Sequence, residues 1–311
     1  MAAAACPVCA GEGVLLRRLS AAYLADGLHR VFGEAPPAGL VPHGYGLVRC
    51  AVCGLVYADP MTPGDAAFYA WLTGFPKYHA QDRWEWAEMK RVLAAVGRPL
   101  RLLELGAGKG DLLAFLAGVP GLTARGIDLS ESSVQAARAR GLDVRHAALE
   151  EVLAAEAGTY DAVVLSHVLE HVERPRELMQ GVMRLLAPGG RVLFSVPYSP
   201  MSREYLSDDV MNLPPHHLTR WNISALRCLA RVTGMALETW MPKAKSPLKR
   251  AMKHTCDSAV GEGRVSGLAR LPVLLANFRG FLRILAEHQA RERVDGRMAA
   301  DTILVSLRRE A

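Results

Sequence analysis

Two acids and a glycine-rich turn are the residues whose types and spacing point most directly to chemistry. Glu104 lies near the end of an apolar run and is followed by three alternating glycines, Gly106, Gly108 and Gly110. Glycine lets a ligand approach the backbone closely because it has no side chain. Asp128 ends the next apolar run, about 20 residues further on, where a doubly wound fold binds ribose hydroxyls. The dinucleotide pattern G-x-G-x-x-G is not matched, so we expect a nucleoside ligand without a pyrophosphate.

Four of the six cysteines form two C-x-x-C pairs. They are Cys6 with Cys9 and Cys50 with Cys53. Two such pairs supply four thiolates, the number that fills a tetrahedral structural zinc site. A disulfide is disfavoured in a reducing compartment, and a redox motif would not need a second copy. The sequence therefore predicts a zinc-binding module over residues 1–60, with Cys228 and Cys256 as ordinary small apolar residues.

Histidines in two segments are candidates for proton transfer. His216 and His217 follow two prolines, which stiffen a loop, and histidine titrates near neutral pH. We expect one of these two to act as a general base, the alternative being that they only pack on Trp221. His171 is a further catalytic candidate, or it fixes its own loop through hydrogen bonds. Tyr78 is a weaker candidate for closing the site.

After residue 100, apolar runs alternate with amphipathic segments. This alternation predicts a parallel sheet covered by helices on both faces, which would position these residues. We expect strands near residues 100–105, 122–128, 143–146, 160–166 and 190–196. We expect helices near 109–117, 131–140, 149–155, 174–187 and 222–232. A last pair of strands, near 235–241 and 302–307, is separated by a helical insertion over residues 243–298.

Four segments in this order resemble class I S-adenosylmethionine-dependent methyltransferases. They are the run from Glu104 to Gly110, Asp128, the segment Ser166–His171, and the turn Leu186–Gly190. The resemblance covers residues 98–241 and resumes at 302–309. It implies an α/β fold with a Rossmann-like seven-stranded sheet, joined to the zinc-ribbon-like module by a helical linker or lid over residues 61–97. The methyltransferase domain would then span residues 98–311, including the insertion.

The resemblance also implies which residues bind the cofactor, S-adenosylmethionine. The methionine part is assigned to Glu104 and to the glycine turn, with Gly106, Ala107, Gly108 and Gly110. The ribose is assigned to Asp128 and the adenine to Leu129, Ala148 and Leu149. Ser166 and His167 end the fourth strand, where cofactor and substrate meet in this family, and His167 either contacts the substrate or packs beneath the cofactor.

The zinc module and the loop that carries His216 and His217, here called the histidine loop, make the chain similar to sugar C-methyltransferases, which act on nucleotide-linked deoxysugars. The chain is also similar to related small-molecule methyltransferases. Those sugar enzymes usually have Glu-His where this chain has His216 and His217, and they carry a full additional C-terminal domain. Methylation of carbon, oxygen or nitrogen in a sugar or natural product therefore stays open.

Two other functions compete with this one. An RNA-modifying methyltransferase is suggested by the zinc module and the basic charge, but amino-group methylation of bases generally uses an Asn/Asp-Pro-Pro-Tyr/Phe motif where this chain has Ser-His-Val-Leu. We therefore expect no nucleic-acid partner. A non-catalytic module that binds S-adenosylmethionine and a partner protein would need the same cofactor residues.

Composition sets broad limits on these functions. The chain has 37 basic and 31 acidic residues among 311, a net charge of +6 that mildly favours an anionic small-molecule substrate. No apolar run reaches the ~20 residues that cross a bilayer, and the N-terminus lacks the features of a signal peptide, so we expect a cytoplasmic enzyme. The insertion opens with five basic residues, Lys243, Lys245, Lys249, Arg250 and Lys253. It is expected to form an extra helical layer or the contact of a homodimer, the alternative being a platform for an anionic substrate or a membrane surface.

Overall fold

The computed structural model describes residues 4–75, 78, 83–201, 204, 209–242, 246–260, 265–295 and 301–309. For residues 288 and 290–295 it describes the backbone without the side chains. The chain divides into two compact units. The main unit comprises Met1–Pro197, Val210–Trp240 and Thr302–Ala311. The insertion unit comprises Tyr198–Asp209 and Met241–Asp301.

The N-terminal part of the main unit forms a small antiparallel sheet. Its first three strands are β1 (Gly13–Leu19), β2 (Tyr45–Cys50) and β3 (Val56–Asp59), and α1 (Ala21–Phe32) connects the first two. A fourth strand, β9 (Thr219–Arg220), comes from far along the chain and pairs with β3. Strand β3 follows closely after the second cysteine pair.

The hydrophobic core beneath this sheet combines residues from distant parts of the chain. Its buried members include Leu19, Leu24, Leu28, Tyr45, Leu47, Phe68, Leu72, Leu213 and Leu218. Phe68 and Leu72 belong to α2 (Ala66–Thr73), which precedes α3 (Trp84–Ala94). The N-terminal sheet thus shares its core with α2 and with the loop that carries the paired histidines.

A seven-stranded sheet forms the centre of the main unit. Its strands are β4 (Leu100–Leu105), β5 (Leu122–Asp128), β6 (Val144–His146), β7 (Tyr160–Ser166), β8 (Leu186–Pro197), β10 (Met235–Trp240) and β11 (Thr302–Arg309). The order is β10-β11-β8-β7-β4-β5-β6, with β4 to β8 parallel and β11 antiparallel to both of its neighbours. The central strands are buried on both faces, which explains their continuous apolar sequence. The predicted Rossmann-like seven-stranded sheet is confirmed.

The helices that cover this sheet lie close to their expected positions. They are α4 (Asp111–Leu116), α5 (Glu131–Ala139), α6 (Leu149–Glu156), α7 (Pro175–Leu185) and α8 (Ile223–Thr233). Helix α4 begins two residues later than expected because Gly110 has a φ of 79°, a left-handed conformation that an α-helix does not include. Strand β8 begins earlier than expected, because Leu186 already pairs with Tyr160 ahead of an irregularity in the ladder.

The insertion unit is helical, as expected. It contains α9 (Pro247–Val260), α10 (Arg270–Ala276) and α11 (Phe278–Asp295). Of its five basic residues, Lys243 and Lys245 lie outside the described residues, and Lys253 pairs with Asp257 at 2.6 Å. Within the described parts of the chain, no helix combines the length and the apolar character that a membrane span requires.

Candidate cofactor site and histidine cluster

The glycine-rich turn between β4 and α4 has a backbone that favours glycine. Gly106 and Gly108 have φ values of 70° and 52°, in the left-handed region. A methyl group on Gly106 would lie 2.6 Å from Cγ2 of Val168, whereas one on Gly108 would meet no described atom within 4 Å. Ala107 between them is buried, and its amide donates to the carbonyl of Ile127 at 3.0 Å. The turn therefore contacts Val168 and leaves room for a ligand at Gly108.

Glu104 is buried in β4 and carries an oxygen without a partner. Its Oε2 atom has no hydrogen-bond donor among the residues that the structure describes. Burial raises the pKa of Glu104 well above its usual range, and the nearby Asp128 and Asp111 raise it further. A buried carboxyl without a donor is costly, and a ligand that brings an ammonium group would remove that cost. Glu104 is thus suited to bind a cationic amino group.

Asp128 holds the glycine-rich turn against the end of β5. The amide of Gly108 donates to its Oδ2 atom at 2.7 Å, and the amide of Ser130 donates to its Oδ1 atom at 2.8 Å. Each carboxylate oxygen keeps a second lone pair for a ligand hydroxyl. The next residue, Leu129, leaves 75% of its surface exposed, which offers an apolar face to a flat ring.

The two residues expected to contact adenine from the third strand have other partners. The amide of Ala148 donates to Oε1 of Glu151 at 2.8 Å, within the first turn of α6. Leu149 packs on Gly181 of α7, because a methyl group added to that glycine would lie 2.8 Å from its Cδ2 atom. Of the residues assigned to adenine, Leu129 is therefore the one most open to a ligand.

The end of β7 is tied to α3 by side-chain hydrogen bonds. The indole of Trp86 donates to Oγ of Ser166 at 2.9 Å. Both ring nitrogens of His167 contact carboxylates, with Nδ1 3.0 Å from Oε1 of Glu170 and Nε2 3.1 Å from Oε1 of Glu85. Burial by itself lowers the pKa of His167, but the hydrogen bonds to Glu170 and Glu85 outweigh it and raise that pKa. His167 is thus an imidazolium held between two carboxylates, an arrangement that favours a structural role.

Three histidines, His171, His216 and His217, lie against one another. The rings of His216 and His217 stack with centroids 4.3 Å apart, and the ring of His171 lies 4.7 Å from the first and 4.8 Å from the second. The hydroxyl of Tyr78 lies 3.2 Å from Nε2 of His216, and the ring of Tyr69 also contacts this group. All four residues expected to be catalytic are therefore brought together, and we call the three imidazoles the histidine cluster.

The Nδ1 atoms of the histidine cluster are engaged with oxygen acceptors. Nδ1 of His171 lies 2.6 Å from the carbonyl oxygen of His216, and Nδ1 of His216 lies 2.8 Å from that of Met211. Nδ1 of His217 lies 2.9 Å from Oδ1 of Asn212. A carbonyl oxygen can only accept, so each Nδ1 carries the proton and each Nε2 keeps its lone pair.

Burial keeps the histidine cluster neutral. It lowers the pKa of His216 to about 3 and also lowers the pKa values of His171 and His217. Burial raises the pKa of Tyr78 to about 12, so its hydroxyl stays protonated and donates to Nε2 of His216. The cluster therefore presents lone pairs and no positive charge.

A model of the methyltransferase domain family matches residues 77–240, which is more than half of the chain and includes both sites. This chain belongs to the methyltransferase domain family. The class I S-adenosylmethionine-dependent methyltransferase fold and activity expected from the sequence are thereby confirmed.

Relatives of this methyltransferase include enzymes of known name. A ubiquinone biosynthesis O-methyltransferase of Thiobacillus denitrificans is 30% identical over 193 residues, which cover 57% of this chain and 81% of the relative. One of Chromobacterium violaceum is 31% identical over 175 residues, which cover 51% of this chain and 75% of the relative. Among solved structures, an S-adenosylmethionine-dependent methyltransferase from Archaeoglobus fulgidus has a TM-score of 0.49 at 14% identity and covers 72% of this chain and 92% of its own.

The histidine loop of this methyltransferase is fixed from two sides. On one side, the amide of Leu218 donates to the carbonyl of Glu170 at 2.8 Å. On the other, the amide of Ala58 in β3 donates to the carbonyl of Leu218 at 2.8 Å, and β3 pairs with β9. The rings against the histidines belong to Tyr69 and Tyr78, while the fully buried Trp221 follows β9.

The four N-terminal cysteines of the methyltransferase converge on one point. Their sulfurs lie within 4.8 Å of one another, with Sγ of Cys6 3.7 Å from that of Cys53 and Sγ of Cys9 3.5 Å from that of Cys50. A tetrahedral site with metal–sulfur bonds of about 2.3 Å places its sulfurs about 3.8 Å apart. The spacing therefore fits a four-thiolate metal site and is far longer than a disulfide bond. Cys228 and Cys256 are buried elsewhere, as expected.

Three functional neighbours were not found from the sequence. Glu85 and Trp86 tie α3 to the end of β7, and Asn212 orients His217. An acid and an aromatic residue at the start of the helix before β4 were the available signal for the first two. Nothing in the sequence around residue 212 indicates its contact, because the contact depends on how the loop folds back.

Proposed function

We propose that this methyltransferase transfers a methyl group from S-adenosylmethionine to an oxygen of a small-molecule acceptor, whose proton is removed at the histidine cluster. One observation carries the proposal: the turn from Val168 to His171 contacts the glycine-rich turn at one end and the histidine loop at the other. A donor held by the glycine-rich turn and an acceptor held by the histidines would therefore be neighbours.

Each proposed cofactor residue would bind a different part of S-adenosylmethionine. Glu104 would bind the amino group of the methionine part, because its buried oxygen needs a cationic donor. Asp128 would accept from the ribose hydroxyls, and Leu129 would cover one face of the adenine. When bound, S-adenosylmethionine supplies an electrophilic methyl group on its sulfonium.

The acceptor is inferred to be a hydroxyl compound. The two relatives described above are both named O-methyltransferases, which favours oxygen over carbon or nitrogen. A hydroxyl must lose its proton as it is methylated, and a neutral imidazole is the form that can accept one. His217 is the proposed base, with His216 oriented beside it and Tyr78 closing this side. Nucleotide-linked sugars and other anionic natural-product intermediates are the acceptor classes to test first, since the chain carries a net charge of +6.

The proposed domain organisation gives the remaining segments supporting roles. Residues 1–60 would form the zinc-binding module, with zinc held by Cys6, Cys9, Cys50 and Cys53. Residues 61–97 would form a lid, since α3 already contacts the end of β7 through Glu85 and Trp86. The insertion unit stays a candidate for the contact between two copies of the chain.

Cofactor binding is tested by calorimetry with S-adenosylmethionine on Glu104→Gln and on Glu150→Gln as an exposed acidic control. Loss of a charged hydrogen bond costs about 1.5–3 kcal/mol, so Glu104→Gln should weaken binding about 10- to 150-fold. The substitution should not unfold the protein, because the buried carboxyl already has a raised pKa without ligand. Equal affinity in both variants would refute the assignment of Glu104.

Methyl transfer is tested with cofactor carrying a carbon-13 methyl group and panels of phenols, sugar nucleotides and hydroxylated metabolites, with bulk RNA as a separate acceptor. The carbon-13 shift of the product distinguishes O-, N- and C-methylation. His217→Gln should lower turnover while the Kd for S-adenosylmethionine is unchanged. Cofactor binding without any methylated product would instead support the non-catalytic alternative, and methylated RNA would support the RNA-modifying one.

A further inference from the structure

We propose that His171, His216 and His217 bind a divalent transition-metal ion, at a site distinct from the cysteine cluster. The role of this ion rests on the proposed function, since its open coordination position would take the acceptor's hydroxyl oxygen. Its binding rests on the geometry of the three imidazoles alone.

The first support is convergence. One ring nitrogen from each histidine lies within 4.8 Å of the others. Tetrahedral coordination with metal–nitrogen bonds of about 2.1 Å needs nitrogens about 3.4 Å apart. Small rotations of the rings would close that difference. His216 and His217 are adjacent in a stiff loop, and His171 reaches them from the turn after β7, so two separate segments supply the ligands.

The second support is the orientation of each ring. Every Nδ1–H of the cluster donates to an oxygen, namely the carbonyl of His216, the carbonyl of Met211 or the side chain of Asn212. Metal-binding histidines almost always donate their second ring N–H to a carbonyl or carboxylate, which fixes the tautomer and the direction of the free lone pair. Here the same arrangement occurs three times and leaves three Nε2 lone pairs as potential ligands.

The third support is that these lone pairs lack sufficient donors within the protein. Among the described residues, none donates a hydrogen bond to Nε2 of His171 or His217, and Nε2 of His216 receives one from Tyr78. These acceptors cannot satisfy one another. A cation supplies what they need, and neutral imidazoles are the form that binds metal.

The ligand set also selects the metal. Imidazole nitrogens suit zinc, cobalt, nickel and copper, whereas magnesium and calcium prefer oxygen ligands. Among the described residues, Glu170 places its Oε1 atom 3.9 Å from Nε2 of His171 and would balance part of the charge without being a ligand. Three protein ligands leave a position open, as in catalytic rather than structural zinc sites.

An ion at this position would make a hydroxyl acceptor easier to deprotonate. A metal lowers the pKa of an oxygen bound to it by several units, so the hydroxyl proton could pass to solvent water at neutral pH. In the metal-bound protein the three imidazoles, including His217, would therefore act as ligands, and solvent water would take the proton in place of His217.

The test uses the full chain, freed of metal and titrated with Co²⁺. Cobalt in the cysteine cluster gives an intense thiolate charge-transfer band, while cobalt bound by nitrogen and oxygen gives only weak visible bands. We expect a second equivalent of cobalt with the weak spectrum, and three solvent-exchangeable, paramagnetically shifted proton resonances from the Nδ1–H groups.

Two variants make the assignment specific. His171→Gln and His217→Gln should each lose the second equivalent and the shifted resonances but keep the thiolate band, which also reports that the N-terminal sheet has folded. His29→Gln, at an exposed position on α1, should behave as the parent protein. A single equivalent of cobalt in the parent protein, or a second equivalent that survives both substitutions, would overturn the proposal.

Activity separates this inference from the proposed function. If the second ion binds but no acceptor in the panel is methylated, the proposed function fails and the metal site stands. If protein holding only the cysteine-bound metal transfers methyl groups at the full rate, the role of the ion is refuted and the methyltransferase function stands.

Discussion

Substitution of Glu85 by Gln should destabilise the protein in a pH-dependent way. Glu85 lies 3.1 Å from Nε2 of His167, and both side chains are largely buried. At an effective dielectric constant of about 20, two charges at that distance attract by about 5 kcal/mol, before the cost of desolvation. Removing one partner of a buried pair typically costs about 3–5 kcal/mol. We expect the free energy of unfolding to fall by an amount near the lower figure, because Gln keeps an oxygen at this position and Glu170 still binds Nδ1 of His167.

The sign of the pH dependence follows from the two pKa shifts. The pKa of His167 is raised, so the stability it contributes is fully present below the unfolded-state value of about 6.5 and is lost as the pH rises through the folded-state value. Burial opposes ionisation of Glu85, but the bond to His167 outweighs it and lowers the pKa. That contribution is present above about pH 4.3 and is lost as the pH falls through the folded-state value. The difference between parent and variant should therefore be largest near pH 5–6.

Urea unfolding of parent and variant at pH 5.5, 7 and 8.5 provides the measurement. Glu88→Gln on the same helix is the matched control, because its partner Arg91 is exposed and such surface pairs contribute little to stability. A loss of stability in Glu85→Gln that is constant across this pH range, or that grows toward pH 8.5, would refute an imidazolium at His167.

Three further substitutions test other parts of the structure. Gly106→Ala should lower the free energy of unfolding by about 1–2 kcal/mol because of the left-handed backbone, and by a further amount because the new methyl group clashes with Val168. A second substitution, Val168→Ala, should relieve the clash, and urea unfolding of the double mutant measures the stability that is recovered. Trp86→Phe removes the hydrogen bond to Ser166 and should lower the free energy of unfolding by about 1 kcal/mol, a prediction that an unchanged value contradicts. Cys50→Ser should abolish the thiolate band of the cobalt-substituted protein, while Cys228→Ser, which is buried outside the cluster, should retain it.

The central sheet could be predicted from the sequence because its central strands carry a strong local signal. The run from Leu100 to Leu105 is apolar and ends at glycines, and the segment from Tyr160 to Ser166 is similarly continuous. Burial on both faces produces such runs, and turn residues mark their ends. Boundary errors arose where a single residue decides the boundary, as at Gly110 before α4, and where pairing continues past an irregularity in the ladder, as at the start of β8.

The contacts around the candidate sites could not be predicted in the same way. His167 could be placed at the end of a strand, but its partner Glu85 is 82 residues away and belongs to a helix whose docking is set by the core. The pairing of β9 with β3 joins residues even further apart, and a strand of two residues has no periodicity to detect. Contacts of this kind depend on the assembled fold, so residue types alone could identify His171, His216 and His217 as candidates but could not show that they meet.

The N-terminal sheet connects the cysteine cluster to the histidine cluster through backbone hydrogen bonds. Cys53 leads directly into β3, whose Ala58 binds the carbonyl of Leu218, and the amide of Leu218 in turn binds Glu170. If the cysteine cluster holds the proposed metal, we expect its removal to loosen the strand that holds the histidine loop. The glycine-rich turn would be less affected, since Asp128 holds it from the separate seven-stranded sheet. A structural metal in the N-terminal module would then act on the proposed acceptor side of the reaction, because its sheet supports the histidines rather than the proposed cofactor residues.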